Sequence, residues 1–187
     1  MWYYNHMKRK IRCIYIDGIE RSGKTSVARE MRKFLKNKNK DLCDINGTDN
    51  LKLVQQNTIL SDSENSFILK ENSILSSFQK EVKKTNMGIS LFEVENEELI
   101  RKERSINHKY GAVHFFLIPQ DDESLTRIYD VEEVPLYVID TIKLYRGINH
   151  YSMTQGLDIR LIPFNEFDKI YDIRDKILKI IKENYEI

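Results

Sequence analysis

Cysteine is scarce in this chain, and its scarcity excludes a domain stabilised by disulfides or by a cysteine-based zinc site. Of 187 residues only two are cysteine, Cys13 and Cys43, whereas either kind of framework requires more of them at close spacing. The four histidines also lack the spacing typical of metal ligands. Both cysteines fall in short apolar runs, so we expect ordinary buried thiols.

The chain also lacks an excess of charge and any long apolar run. Thirty basic and 29 acidic side chains leave a formal net charge of +1, which gives no general reason to expect nucleic acid or a membrane surface as a partner. No apolar stretch has the length of a membrane span, and the first residues lack the apolar core of a secretory signal. We therefore expect a cytoplasmic protein with one domain, residues 1–187. Residues 1–6 are either an extension outside the fold or an edge strand.

Glycine is uncommon too, yet two of the seven glycines fall in one eight-residue motif. Residues 18–25 read Gly-Ile-Glu-Arg-Ser-Gly-Lys-Thr and match GxxxxGK[ST], the pattern of a loop that binds nucleotide phosphates. The apolar run Ile11–Ile16 before the motif predicts a buried strand, and apolar residues at helical spacing from Val27 to Leu35 predict an amphipathic helix after it. This context favours phosphate binding over a glycine-rich turn that binds nothing.

Each residue type in the motif suits phosphate chemistry. Gly18 and Gly23 let the backbone approach closely, so that consecutive N–H groups point at anionic oxygens, and the positive end of the helix dipole adds to that field. Lys24 would reach the β- and γ-phosphates, and the Thr25 hydroxyl would bind the magnesium ion that bridges them. The predicted nucleotide-binding set is Gly18, Ser22, Gly23, Lys24, Thr25 and Ser26.

Apolar runs and helical patterns alternate along the rest of the chain. Beyond the first strand and helix, strands are predicted at 41–45, 66–70, 113–118 and 157–162. Helices are predicted at 74–82, 93–110, 121–128, 135–151 and 167–185. Because strands separated by helices form parallel sheets covered on both faces, we predict an α/β fold with a five-stranded parallel sheet. Ligands bind at the carboxyl ends of the strands in such folds.

Residues 16–25 resemble the phosphate-binding loop of thymidylate kinases, a family of P-loop nucleoside monophosphate kinases. That loop typically reads acid, Gly, x, acid, Arg or Gly, small, Gly, Lys and then Ser or Thr. The likeness continues at the level of pattern, in order, over 46–48, 68–77 and 114–128. It implies the three-layer P-loop kinase fold, ATP and Mg²⁺ as cofactors, and a deoxynucleotide acceptor. Related kinases are often dimers, which makes a homodimer an expectation.

The resemblance also implies roles for individual residues. Lys24 and Thr25 serve ATP and magnesium, and Glu20 faces the sugar of the acceptor or bound water. Arg21 neutralises charge that develops on the transferred phosphoryl group; its alternative is a solvated surface cation. In family members with arginine in this loop the lid need not supply one, and the expected lid, 129–134, is short and acidic. Phe164 either contacts the adenine ring or belongs to the core.

The chain departs from the family after the third strand. Glu71 and Asn72 stand where the family has Asp and Arg. Glu71 either holds magnesium through water or opens a helix at its positive dipole end. The arginine that would contact the acceptor phosphate is missing, and the stretch from Thr48 to Ser66 is shorter than the family's acceptor-binding helices. Lys70, Arg101 or Arg104 would replace the arginine, but the alternating charges around Arg101 and Arg104 favour a solvated helix face for these two.

The sequence thus predicts an ATP-dependent phosphotransferase, most simply a deoxynucleoside monophosphate kinase that resembles thymidylate kinases. Because the acceptor region is short, a kinase that acts on a nucleoside, or on a modified-base hydroxyl in DNA, is an alternative. Only that alternative would involve nucleic acid, and no membrane partner is expected. Because the Asp-Arg pair is absent, a nucleotide-binding module without transfer activity is the second alternative.

Overall fold

A computed structural model describes residues 8–19, 21–45, 66–71, 108–130 and 156–187, together with 101, 104, 105, 134, 136, 138, 139 and 142. Several predictions from the sequence lie outside the described residues. They are the roles of Glu20 and Asn72, the placement of 1–6, the helix at 74–82, most of the helices at 93–110 and 135–151, and most of the lid.

Seven strands are described, and five of them form the central sheet. Their bounds are β1 Arg9–Lys10, β2 Cys13–Gly18, β3 Asp41–Ile45, β4 Ser66–Glu71, β5 Ala112–Pro119, β6 Ile159–Phe164 and β7 Tyr185–Glu186. The five-stranded sheet has the order β3-β4-β2-β5-β6, and every neighbouring pair in it is parallel. The predicted sheet is therefore confirmed, and each predicted strand lies within two residues of an observed one at either end.

The two central strands, β2 and β5, are buried along their whole length. This explains why both read as continuous apolar runs, since a central parallel strand is covered on both faces. Cys13, at the start of β2, is a buried thiol as predicted. Pro119 is the last residue of β5, a position where its missing N–H does not interrupt the pairing within the strand.

Helices cover both faces of the sheet. Three helices have described bounds, α1 Lys24–Asn37, α2 Asp122–Tyr129 and α3 Ile170–Asn184. Successive residues of a strand point to opposite faces: Phe115 and Leu117 belong to one hydrophobic cluster with α1 and α3. Phe116 belongs to a second cluster with α2 and the helical residue Val138. The structure thus has the three layers that were predicted.

A turn before α3 explains why this helix begins three residues later than the sequence suggests. The Asn165 Oδ1 atom accepts hydrogen bonds from the backbone N–H groups of Phe167 (2.9 Å) and Asp168 (3.1 Å). This side-chain turn uses the backbone donors of the segment and delays the helix to Ile170.

A second, two-stranded sheet joins the two ends of the described chain. Strand β1 pairs in parallel with β7, with Arg9 opposite Tyr185 and Lys10 opposite Glu186. The N–H of Ile11 donates to the Glu186 carbonyl at 2.9 Å, which extends the connection to the start of β2. No helix within the described part of the chain is long and apolar enough to cross a membrane.

Candidate nucleotide-binding site

The loop between β2 and α1 begins at a glycine that the packing requires. Gly18 ends β2 and lies beside Leu117 of β5 in the register of the sheet. A Cβ atom at Gly18 would lie 2.8 Å from the Leu117 carbonyl oxygen and 2.6 Å from the Ser22 Oγ atom. Both distances are too short for a real Cβ, so only glycine lets the loop turn this close to the sheet.

The second glycine, Gly23, opens α1. Its φ is 75°, in the left-handed region, and a Cβ there would lie 2.8 Å from the Ile170 Cδ1 atom at the start of α3. Within the described residues, no side chain caps α1 and no acid lies in its first turn. The positive end of this helix is therefore not neutralised by its own residues, which is the arrangement found where helices bind anions.

Ser22 lies at the base of the loop with an unused hydroxyl. The residue is 2% exposed, its N–H donates to the Ile19 carbonyl at 3.3 Å, and its Oγ atom has no hydrogen-bond partner among the described residues. Because a buried hydroxyl without a partner is destabilising, it indicates a polar group that binds here from outside the chain.

Lys24 folds over the loop rather than away from it. Its Nζ atom donates to the carbonyl oxygens of Gly18 at 3.4 Å and Ile19 at 3.3 Å. These are long contacts to neutral acceptors. A phosphate oxygen is a charged acceptor and binds an ammonium more strongly, so the lysine is placed to exchange these carbonyls for an anion in the loop.

Arg21 is held by the end of α2. Its Nη1 atom donates to the Tyr129 carbonyl at 3.1 Å, and its guanidinium carbon lies 5.6 Å from the centre of the Tyr129 ring. The residue is exposed and has a φ of 60°, a conformation that is uncommon for residues other than glycine and often occurs at functional sites. The exposed cation predicted here is therefore oriented by two contacts.

Tyr129 was expected at the start of the lid, and the structure corrects this expectation. It is the last residue of α2, 9% exposed, and its ring belongs to the second hydrophobic cluster. Ile19 of the loop is fully buried in the same cluster. Ile19 and Tyr129 thus anchor the loop and the Arg21 side chain to one packed unit. The signal for Ile19 in the sequence is that it is an apolar residue in an otherwise polar loop.

Asp17 is a further residue that the motif alone does not identify as functional. It is fully buried at the end of β2, and its Oδ1 atom accepts a hydrogen bond from the Gly18 N–H at 2.7 Å. This contact fixes the backbone where the chain leaves the strand and enters the loop.

The two predicted magnesium ligands belong to elements that meet at one edge of the sheet. Thr25 is exposed in the first turn of α1. Glu71 is the last residue of β4 and lies opposite Ile16 of β2 in the parallel register. The end of β4 therefore lies beside the strand that leads into the loop. Within the described residues, no three side chains of His, Cys, Asp or Glu cluster as a metal site.

The loop after β6 borders the same edge, and an ion-pair network ties it to α2. Arg127 of α2 is hydrogen-bonded to Glu123 and to Glu166, a residue of the loop after β6. A hydrogen bond from its own backbone N–H, together with the Arg127 guanidinium, lowers the pKa of Glu166. Phe164 is 4% exposed in the first hydrophobic cluster, so of its two predicted roles the structure favours the core.

Arg104 does not lie at this site. It lines a cavity together with Arg12, which precedes β2, and Gly111, which precedes β5, and thus lies at the amino ends of the strands. Because β2 has six residues and a strand rises about 3.3 Å per residue, the two ends are about 20 Å apart. Of the two accounts that the sequence allows for Arg104, replacement of the missing acceptor-binding arginine is therefore wrong.

The fold is similar to that of thymidylate kinases of known structure. The enzyme from Candida albicans superimposes over 95% of this chain and 94% of its own length, with a TM-score of 0.56 and 15% identity. The enzyme from Ehrlichia chaffeensis superimposes over 92% of this chain and 99% of its own, with a TM-score of 0.53 and 15% identity. No protein-family model matches the chain, and no curated protein matches it in sequence. The likeness confirms the predicted P-loop kinase fold, and the activity has to be argued from the site.

Proposed function

We propose that this chain is an ATP-dependent phosphotransferase, specifically a deoxynucleoside monophosphate kinase. The observation that carries the proposal is the loop of residues 18–25. It leaves a central strand at a glycine that no other residue can replace and enters a helix without a cap. An ammonium group lies over its carbonyl oxygens. The fold shared with thymidylate kinases supports a nucleotide kinase as the class of enzyme.

The residues at the loop fit a nucleoside triphosphate and Mg²⁺. The buried Ser22 Oγ lacks a partner among the described residues, and the Gly18 backbone leaves a cradle that a Cβ would fill. The metal ion would be held by the Thr25 hydroxyl and, through water, by Glu71. When bound, Mg²⁺ supplies positive charge that offsets the negative charge of the β- and γ-phosphates.

Phosphoryl transfer requires the protein to position and to stabilise charge rather than to react covalently. Lys24 would bind the transferred phosphoryl group and orient it toward the acceptor. Arg21 would stabilise the charge that develops during transfer, because its guanidinium stays ionised and matches phosphate oxygens in pairs. Its two contacts with Tyr129 orient the side chain in advance, which lowers the cost of ordering it during the reaction. Glu20 would face the acceptor sugar or bound water.

We propose the acceptor from the resemblance to thymidylate kinases. The positions at which the chain departs from that family suggest which other acceptors have to be tested. Asn72 stands where the family's arginine would contact the acceptor phosphate. A nucleoside or a modified-base hydroxyl in DNA carries no phosphate at that position and would not need that arginine. These two acceptors are therefore the second candidates for the same donor site.

A transfer assay tests the proposal. Protein, labelled ATP and Mg²⁺ are incubated separately with thymidine, deoxyuridine and deoxycytidine monophosphates, with nucleosides, and with DNA. We expect ADP to form at a rate that depends on one of the monophosphates, with label recovered in its diphosphate. Label recovered only in nucleosides or only in DNA would show that one of these is the acceptor, rather than a nucleoside monophosphate. Tight ATP binding without transfer to any acceptor would show that the chain is a nucleotide-binding module rather than an enzyme.

A further inference from the structure

The short helix α2 connects the phosphate-binding loop with the loop that follows β6. At its end, the carbonyl and the ring of Tyr129 hold the Arg21 side chain. In the same last turn, Arg127 is hydrogen-bonded to Glu166 of the loop after β6. We propose that Arg127 and Glu166 are positioning residues for Arg21, because they fix the helix end on which that guanidinium is oriented. The part of this inference that concerns catalysis rests on the proposed function.

The Tyr129 carbonyl holds Arg21 because α2 ends at this residue. The last carbonyl groups of a helix have no partner within it, and Asp130 leaves the helix with a φ of 52°. The Asp130 N–H donates to the carbonyl oxygens of Thr126 and Arg127, which closes the last turn. The direction of the Tyr129 carbonyl then follows the rotation of α2 about its own axis. Contacts that fix this rotation therefore also fix Arg21.

Apolar packing alone does not determine this rotation. Leu125 and Tyr129 of α2 are buried in the second hydrophobic cluster, but hydrophobic burial is non-directional. The planar guanidinium of Arg127, in contrast, presents its donors in a fixed fork. It is hydrogen-bonded to Glu123 of the same helix and to Glu166 of another element. Of these two bonds, the one to Glu166 links α2 to the rest of the protein.

Glu166 is the more shielded of the two carboxylates. Its side chain is 18% exposed, whereas that of Glu123 is 72% exposed, and solvent and salt weaken a shielded ion pair less. Hydrogen bonds from its own backbone N–H, from Arg127 and from the hydroxyl of buried Ser124 lower the pKa of the Glu166 carboxyl. Because Ser124 and Arg127 are three residues apart, they lie on one face of α2. Glu166 thus binds the helix at two points of that face.

The loop that carries Glu166 is ordered and packs beside the phosphate-binding loop. A side-chain turn at Asn165 fixes its backbone. Just after it, the Ile170 Cδ1 atom lies so close to Gly23 that a Cβ there would be 2.8 Å away. Contacts therefore run from Gly23 through the loop after β6 to α2, and from α2 back to Arg21. Both ends of this series belong to the phosphate-binding loop.

Arginine side-chain spectra test the positioning without an assay of activity. In protein labelled with ¹⁵N-arginine, the Nε–H signal of Arg21 is the one that is missing from the Arg21→Lys variant. We expect Glu166→Gln to move this signal toward the position of a mobile arginine, because the guanidinium loses its fixed place beside the Tyr129 ring. Glu123→Gln is the matched control. It removes the other carboxylate partner of Arg127 and should leave the Arg21 signal unchanged.

Steady-state kinetics test the consequence for transfer. Since a misplacement of about 1 Å costs up to about 100-fold in rate, Glu166→Gln should lower kcat about tenfold or more and change the KM for ATP less than about twofold. The same substitution in the Arg21→Ala protein should have no further effect, because both changes act on one interaction. Glu123→Gln should keep full kcat.

A charge exchange separates the lost ion pair from a folding defect. The variant with Arg127→Glu and Glu166→Arg restores a pair between α2 and the loop, and should recover part of kcat and of the Arg21 signal. Positioning is overturned if Glu166→Gln leaves the Arg21 signal at its wild-type position, or if it lowers kcat equally with and without Arg21. If the wild-type protein transfers phosphate to no acceptor, the proposed kinase is wrong, and the arginine spectra still decide the positioning.

Discussion

The cationic side chains of Lys24 and Arg21 are held at the phosphate-binding loop by different parts of the structure. This difference determines how each is expected to act. The Lys24 ammonium contacts two carbonyl oxygens of the loop that it would release to a phosphate. The Arg21 guanidinium is held from outside the loop, by the last carbonyl and the ring of α2. Lysine is thus suited to bind the donor, and arginine to stabilise charge that appears during transfer.

Replacing Lys24 with alanine should abolish transfer. The substitution removes the only side-chain cation that the described structure shows over the loop carbonyls, and loss of one well-placed charge donor costs about 100- to 1,000-fold in rate. Turnover is measured as ADP formed with the preferred acceptor. Lys36→Ala, a change of the same type at the far end of α1, should keep full activity. A fully active Lys24→Ala variant would refute the assignment of this lysine.

Replacing Arg21 with alanine should lower kcat about 100-fold or more and change the KM for ATP little. The reason is that its proposed contact strengthens only as charge develops in the transition state. The matched control is Arg29→Ala, an exposed arginine of α1. Steady-state kinetics with varied ATP separate the two quantities. Equal losses in kcat and in apparent ATP affinity would assign Arg21 to binding of the ground state.

At the scale of single residues, the sequence predicted the identity of the loop residues but not their contacts. The motif gives Gly18, Gly23 and Lys24 because phosphate binding requires those residue types at that spacing. The partner of Arg21, however, is 108 residues away. Its position depends on where α2 ends, and no local pattern encodes that distance.

At the scale of elements, long buried strands were predictable and short paired ones were not. β2 and β5 are continuous apolar runs because both faces are covered, and the sequence predicted both. β1 and β7 have two residues each, too few to show alternation. They exist because the two ends of the described part of the chain meet, which is a property of the tertiary structure.

The glycine before β5 gives a test at this scale. Gly111 and Gly156 both have a positive φ, 63° and 69°. A Cβ at Gly111 would lie 2.3 Å from the Lys10 carbonyl oxygen, whereas no described residue lies within 4 Å of a Cβ at Gly156. Gly156→Ala should therefore lower the free energy of unfolding only by the backbone strain that alanine has at a positive φ, about 1–2 kcal/mol. Gly111→Ala should lower the free energy of unfolding by that strain and by about 1–3 kcal/mol more, because the backbone has to move to make room for the Cβ atom. Urea unfolding of both variants measures the difference, and equal losses would show that the approach of 110–111 to β1 is not tight.

For the molecule as a whole, the sequence predicts one end of the parallel sheet better than the other. The carboxyl ends of β2 and β4 lie beside the phosphate-binding loop, and the amino ends of β2, β5 and β6 surround the cavity that Arg12, Arg104 and Gly111 line. Strand β2 runs from one to the other, from the residue after Arg12 to Gly18. The sequence predicted the first end from a motif. It did not predict the second, because the cavity's cations come from segments about 100 residues apart in the chain.

Binding of ATP and Mg²⁺ should stabilise the whole fold, because the proposed site joins β2, α1 and the end of β4. A ligand present at 100 times its Kd stabilises the native state by about 2.7 kcal/mol. For a chain of this size that raises the midpoint of thermal unfolding by about 5–10 °C. Lys24→Ala should lose most of the rise, whereas Lys10→Gln with Lys109→Gln should keep it, since those changes lie at the opposite end of the sheet. Thermal unfolding with and without the nucleotide and metal ion measures the shift. An equal rise in the Lys24→Ala protein would mean that ATP binds elsewhere.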